Sequence, residues 1–258
     1  MKILVCIKQV PDMESRFKPN GSGTWFEETD LAFRMNEYDE YAVEQAVRLK
    51  EQLGDEPEVT VLSIGPDRVV EAIKKALAMG CDRGAHVQDP TSAQKDPSQI
   101  ASIIAAYARD KGFDLVFAGM QSQDRGSAQV GVLVAEELHI PCVTTLVGFA
   151  YDNGVVTATR ELEGGLKGVV KMKTPALVTC QLGLNVPRYP TLPNIMKAKR
   201  KEVELLSAEQ LLNAQPRVAT ASFLPPAKKG GGVVLEGDMS ALVDQLIGIM
   251  KEKTAVLR

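Results

Sequence analysis

Imidazole is scarce in this chain: 258 residues contain two histidines, His86 and His139. Ser/His/Asp and Cys/His catalysis both need an imidazole beside a nucleophile, so that route to chemistry is thin. His139 closes an apolar helical pattern ahead of Ile140-Pro141, and His86 lies inside a short strand-like run. Both read as structural. The four cysteines, Cys6, Cys81, Cys142 and Cys180, form no CxxC pair, which suggests neither a disulfide framework nor a zinc site. No paired carboxylates or metal-ligand set stand out, so no catalytic and no metal-binding residue is assigned. A basic excess is missing too. The net charge is -3 and the isoelectric point about 5.6, which argues against nucleic acid as a partner. No apolar run approaches the roughly 18 residues of a membrane span. Met1 to Val10 is too short and too strand-like for a signal peptide. The expectation is a chain that is not membrane-inserted, in a bacterial cytoplasm or the equivalent mitochondrial matrix.

What is present is an alternation. Lys2-Ile3-Leu4-Val5-Cys6-Ile7 is a continuous apolar run, as a strand buried on both faces reads. Asp39 to Leu53 carries a helical apolar face at Tyr41, Ala42, Ala46, Val47 and Leu49, and stops at Gly54. Val59 to Ile64 reads as the next strand, and Asp67 as the cap of a helix running to about Met79-Gly80. A short strand near Ala85-Val87, a helix from about Asp96 to Lys111, a strand Asp114 to Ala118 and a helix from about Ser127 to Leu138 follow. Strands separated by helices of this length imply a parallel sheet covered on both faces. The fold class is therefore α/β, a Rossmann-like nucleotide-binding domain, here taken as residues 1–184 with a β-rich extension from about 142. In the extension, Val155 to Leu162 and Gly168 to Leu182 read as strands, with turns at Asn153-Gly154 and Gly164-Gly165. Residues 185–201 read as an exposed proline-punctuated loop with a short basic helix. Residues 202–258 read as a C-terminal arm: a Pro/Lys/Gly-rich stretch from Pro225 to Gly232, then a helix, Met239 to Lys251, whose apolar side has no home in this chain.

In parallel α/β sheets ligands sit beyond the carboxyl ends of the strands, near helix N-termini. Three strand ends suit that role: Cys6-Ile7-Lys8, Ser63-Ile64-Gly65, and the loop Gly119-Met120-Gln121-Ser122-Gln123-Asp124-Arg125-Gly126-Ser127. The N–H groups of Gly126, Ser127 and Ala128 would face a phosphate, Arg125 would add charge, and Asp124 or Gln129 would take a ribose hydroxyl or fix the loop. The spacing matches neither GxGxxG nor the P-loop.

The segment Leu184-Asn185-Val186-Pro187-Arg188-Tyr189-Pro190-Thr191-Leu192-Pro193-Asn194-Ile195-Met196-Lys197-Ala198-Lys199 closely resembles the signature of electron transfer flavoprotein beta subunits. The likeness extends over nearly the whole chain, through Met35-Asn36 with Tyr38, Ala42 to Lys50, Ala76 to Arg83 and Arg160 to Leu166. It implies a heterodimer in which an alpha subunit holds most of a redox FAD and this subunit supplies part of the interface. It implies an electron carrier, not an enzyme, fed by acyl-CoA-type dehydrogenases of fatty acid oxidation and drained by a membrane-bound quinone oxidoreductase. Matched residue by residue, the family's AMP site falls on Cys6, Asn36, Glu37, Tyr38, Asp39, Ile64, Gly119, Met120, Gln121, Ser122, Gln123, Asp124, Arg125, Gly126, Ser127, Ala128, Gln129 and Val130. The docking segment for dehydrogenases falls on Leu192, Pro193, Ile195, Met196, Lys197 and Arg200, with Leu192 as the apolar anchor. Bifurcating members hold a second FAD in place of AMP, with NADH as donor, and their loop tends to read Asp-Gly-Asp-Thr-Ala-Gln-Val-Gly. This chain shares the Ala128-Gln129-Val130-Gly131 end but has Arg125 for the first glycine. AMP is the expectation and a second FAD the alternative.

Overall fold

The computed structural model describes every residue except 55, 225, 228–229 and 256–258. Met1–Phe223 and Leu224–Arg258 form two separate compact units. In chain order the strands and helices of the first are β1 (Lys2–Ile7), β2 (Gln9–Pro11), β3 (Phe33–Met35), α1 (Glu37–Gln52), β4 (Glu58–Gly65), α2 (Val69–Met79), β5 (Arg83–Gln88), α3 (Pro97–Ala108), β6 (Leu115–Gly119) and α4 (Val130–Leu138). They continue with β7 (Cys142–Asp152), β8 (Val155–Glu161), β9 (Lys167–Lys173), β10 (Ala176–Cys180), α5 (Leu192–Arg200), β11 (Val203–Ser207) and α6 (Ala208–Leu211).

Nine strands make one sheet in the order β11-β5-β4-β1-β6-β10-β7-β8-β9, parallel from β11 to β7 and antiparallel over the last two pairings. The inner strands are apolar on both sides because both faces are covered. Ile3, Val5, Val61, Phe117 and Val178 pack with α1 and α2 on one face, while Leu4, Leu62, Val116 and Leu177 pack with α3 and α4 on the other. The α3 helix starts where the sequence marks it. Asp96 caps it, with Pro97 in the first turn and Gln99 completing a capping box. His139 ends α4 in the left-handed conformation, and buried His86 donates from Nε2 to the Gly65 carbonyl at 2.8 Å.

Several boundaries differ from the sequence reading. Asp67 does not cap α2; Arg68 holds that position, and Asp67 accepts a bond from Gln88 Nε2 at 2.6 Å. The α4 helix starts at Val130 rather than Ser127, which lengthens the loop before it. The stretch 168–182 is two strands broken at Thr174-Pro175. The second of them, β10, lies inside the parallel sheet between β6 and β7. The β-rich part is thus continuous with the α/β sheet. Val203–Ser207 lies on the opposite edge, pairing in parallel with β5, although the sequence reading placed it in the arm. These strands were missed because only partners distant in sequence define them.

The second unit holds α7 (Met239–Lys253), capped by Asp238, which accepts the Ala241 N–H at 2.9 Å. It runs two residues beyond the sequence reading, and Met239, Val243, Leu246 and Ile247 are exposed along it. Of the stretch from Pro225 to Gly232, positions 225 and 228–229 lie outside the described residues.

Candidate functional site

The strand order reverses beside β1. From β1 the chain moves outward through β4 to β5, then returns to lay β6 on the other side of β1. Loops leaving β1 and β6 part in opposite directions, and the crevice between them is where open α/β sheets take ligands. A cleft of about 1230 Å3, its mouth included, occupies this place. Cys6, Ile64 and Gly119 line it from the ends of β1, β4 and β6.

Asp39 ties β1 to β6. Its carboxylate accepts the Lys8 N–H at 2.7 Å and the Gly119 N–H at 3.0 Å. Burial pushes this carboxyl up to about 7, against the N–H bonds that favour the ionised form. Burial, and then Asp39, pushes the Cys6 thiol up to about 12, so it is no nucleophile at neutral pH. Gly119 is required by contact: a Cβ there would stand 2.2 Å from Asp39 Oδ1 and 2.7 Å from Tyr38 Cβ.

The start of α1 clamps the loop after β6. Asn36 Nδ2 donates to the Gln121 carbonyl at 2.9 Å, and Asn36 Oδ1 accepts the Gln123 N–H at 3.0 Å. Gln123 Nε2 donates to Glu37 at 3.0 Å, and Gln121 Nε2 donates to the Tyr38 hydroxyl at 3.1 Å. Glu37, Tyr38, Gln123 and Gly126 are off the cleft lining, whereas Asn36, Asp39 and the other predicted positions are on it. The Asp124 side chain, 3% exposed, is bound to Lys8 Nζ at 2.6 Å. It therefore fixes the loop. Loss of water at the cleft floor lowers the pKa of the Lys8 ammonium, and Asp124 opposes that shift.

Of the phosphate cradle expected at Gly126 to Ala128, one donor is already used. The Gly126 N–H donates to the Ser122 carbonyl at 2.8 Å. Ser127, Ala128 and Gln129 line the cleft ahead of the helix, and the N–H groups of the first turn of α4, from Val130 on, add donors without partners inside the helix. Gln129, the N-cap residue, makes no capping bond. Gly131 lets this turn sit against β10, where a Cβ would meet Thr179 Cγ2 at 2.6 Å.

The outer wall was missed from sequence. Trp25 and Phe26, ring centroids 4.2 Å apart, line the cleft with Phe33, Ile100 and Ile104. The only signal was a single tryptophan beside a Gly/Ser turn. Arg125 stacks over Trp25 at 4.4 Å and donates to the Ala93 carbonyl, bridging the two walls. Of the cleft cations, Lys8, Arg68 and Lys95 pair with Asp124, Glu28 and Asp89. Arg125 has no carboxylate partner among the described residues, which leaves its charge for an anion. Apolar walls for a base, unpaired N–H groups and a guanidinium without a carboxylate partner among the described residues fit a nucleotide phosphate.

The predicted docking positions are elsewhere, on α5 beyond β10. Leu192 is 79% exposed, and Pro193, Ile195, Met196, Lys197 and Arg200 are exposed with it. Ala198 is the buried residue of the helix.

A doubly wound sheet with such a cleft at its switch point is an α/β module of the architecture that takes ligands at that place. The profile of the electron transfer flavoprotein domain matches residues 23–211. An electron transfer flavoprotein subunit beta of Bacillus subtilis is 37% identical over 86% of this chain and 88% of its own length. The subunit of the same name from Mus musculus is 38% identical, covering 98% and 97%, and that of Methylophilus methylotrophus 34%, covering 98% of both. The chain belongs to the electron transfer flavoprotein family, among its beta subunits. No helix among the described residues is long and apolar enough to cross a membrane.

Proposed function

We propose that the chain is the small subunit of a heterodimeric electron carrier that takes electrons from acyl-CoA-type dehydrogenases and delivers them to a membrane-bound quinone oxidoreductase. It makes and breaks no bond in a substrate. FAD, held mainly by the alpha subunit at the interface, supplies the one- and two-electron chemistry when bound. This chain contributes the partner surfaces and a structural nucleotide site. The exposed apolar side of α7 packs on the alpha subunit. Leu192, Pro193, Ile195 and Met196 meet the dehydrogenase, while Lys197 and Arg200 speed encounter with an acidic surface.

AMP is the ligand proposed for the β1/β6 cleft. The observation that carries this reading is the bridge from Arg125 to Ala93 and Trp25 across the cleft walls. A bridge between the walls favours a mononucleotide, and Arg125 would meet its one phosphate. Phe26, Ile64, Ile100 and Ile104 enclose the base, and the first turn of α4 receives the phosphate. The test is to denature the purified heterodimer by heat and to identify and count what is released. One FAD and one AMP per heterodimer are expected. Two FAD and no AMP would overturn the AMP assignment and turn the function to bifurcation from NADH.

A further inference from the structure

Residues 181–191, between β10 and α5, have no regular secondary structure, yet they are tightly fastened. Asn185 Nδ2 donates to the Tyr41 carbonyl at 3.0 Å, and Arg48 Nη2 donates to the Val186 carbonyl at 3.2 Å. Arg188 is the main tie. Its backbone N–H and Nε donate to Glu44 at 3.1 and 2.8 Å, and its Nη2 reaches Glu51 at 2.9 Å. The Glu44 side chain is 3% exposed and also holds Arg48 at 2.6 Å. Tyr41, Glu44, Arg48 and Glu51 all belong to α1, so one helix carries this whole side of the segment.

The far end is held to α2. Lys74 Nζ donates to the carbonyls of Ala198 and Lys201 at 3.2 and 2.5 Å, and Lys201 Nζ donates to the Cys81 carbonyl at 2.5 Å. Between the two fastenings the side chains are uncovered: Tyr189 is 93% exposed, Leu192 79% and Met196 56%. A loop that needed only to be quiet would bury those apolar groups. A buried carboxylate with two guanidiniums is a costly way to gain stability and an effective way to fix geometry, because the forked donor admits one arrangement.

We propose that Arg188, through Glu44 and Glu51, is a positioning residue for dehydrogenase docking, and that Lys74 does the same at the other end. Together they hold the exposed tip in its binding geometry before the partner arrives. The inference rests on the docking reading of α5. Ordering lost at the base has to be regained on each encounter, which weakens association without touching the electron-transfer step once docked.

The experiment uses the FAD-loaded heterodimer, with an acyl-CoA dehydrogenase as donor and the carrier concentration varied. Arg188→Gln is expected to raise KM for the carrier by about three- to tenfold, with kcat and direct reduction of the flavin by dithionite unchanged. Amide exchange over 185–191 should accelerate. Arg188→Lys should recover only part of the loss, since an ammonium cannot make the forked pair. Lys74→Met gives an independent reading from the other fastening if Arg188→Gln fails to fold. Leu192→Ala separates the two layers of the argument. If Leu192→Ala raises KM while Arg188→Gln and Lys74→Met do not, the positioning role is wrong and docking stands. If Leu192→Ala also leaves KM unchanged, docking at α5 is wrong and the inference falls with it.

Discussion

The cleft and the α5 segment use polar side chains in opposite ways. At the cleft, Asn36, Asp39, Asp124 and Lys8 are consumed by bonds inside the protein, and what remains for a ligand is backbone, apolar wall, Ser127, Gln129 and Arg125. At α5 the internal bonds are confined to the base and the tip meets solvent. A change at the first should therefore appear as lost stability or lost nucleotide. A change at the tip of the second should appear only when a partner is present.

The largest effect expected is at Gly119. Gly119→Ala sets a methyl group 3.0 Å from the Asp39 backbone nitrogen and closer still to the Asp39 and Tyr38 side chains, an overpacking worth about 1–3 kcal/mol. The denaturant midpoint of the heterodimer measures it. An unchanged midpoint would break the contrast at its stronger end.

Glu44→Gln comes next. It removes the carboxylate shared by Arg48 and Arg188. Both arginines reach solvent, so the loss in stability should be only about 1 kcal/mol. Here docking should fall as well, because Glu44 lies at the base. A variant with full stability and full dehydrogenase turnover would show the fastening to be idle.

The two buried aspartates give opposite pH dependences, readable from denaturation between pH 2 and 8 as an order-of-magnitude window. Asp39, raised to about 7, holds its proton more tightly folded than unfolded. Its contribution is fully present below about 4 and is lost as pH rises toward 7. Burial would raise Asp96 too, but the Ser98 hydroxyl and the N–H groups of Gln99, Arg217 and Val218 overcome it and lower the group to about 2. Its contribution is present above about 4 and is lost as pH falls toward 2. Asp39→Asn should remove the loss on the neutral side and Asp96→Asn the loss on the acid side. Retention of both slopes would refute the assignments.

Leu192→Ala should have the smallest effect on stability, within about 0.5 kcal/mol. If the tip docks, it should nevertheless weaken association with the dehydrogenase by about 1–3 kcal/mol, as a hot spot does. Lys197→Glu should slow association and flatten its salt dependence. A lowered melting temperature with unchanged partner kinetics would put Leu192 in an interface instead.

The sequence announced what local chemistry decides. Ile3 to Ile7 is apolar on every side because both faces are buried, and Asp96-Pro97 with Gln99 marks a helix start unaided. The strand ends Cys6, Ile64 and Gly119 follow from the same alternation and do line the cleft. Distance in the chain hid the rest. Nothing near Ala176–Cys180 says that its neighbours are β6 and β7, and nothing near Val203–Ser207 says that it completes an edge. Asp67 had the right residue type for a cap and was drawn off by Gln88. The Trp25 wall was invisible because it comes from an irregular excursion between β2 and β3.

The late insertion of β10 has a consequence for synthesis. During translation β6 emerges with β1 on one side and an open edge on the other, and that edge stays unpaired until Ala176–Cys180 follows the whole β7–β9 ribbon. The seat of α4 waits too, since Gly131 rests on Thr179. A nascent chain shorter than about 180 residues therefore carries β1, β4, β5 and β6 without a finished cleft. The waiting edge is apolar, parallel and central, the kind most open to mispairing on a crowded ribosome.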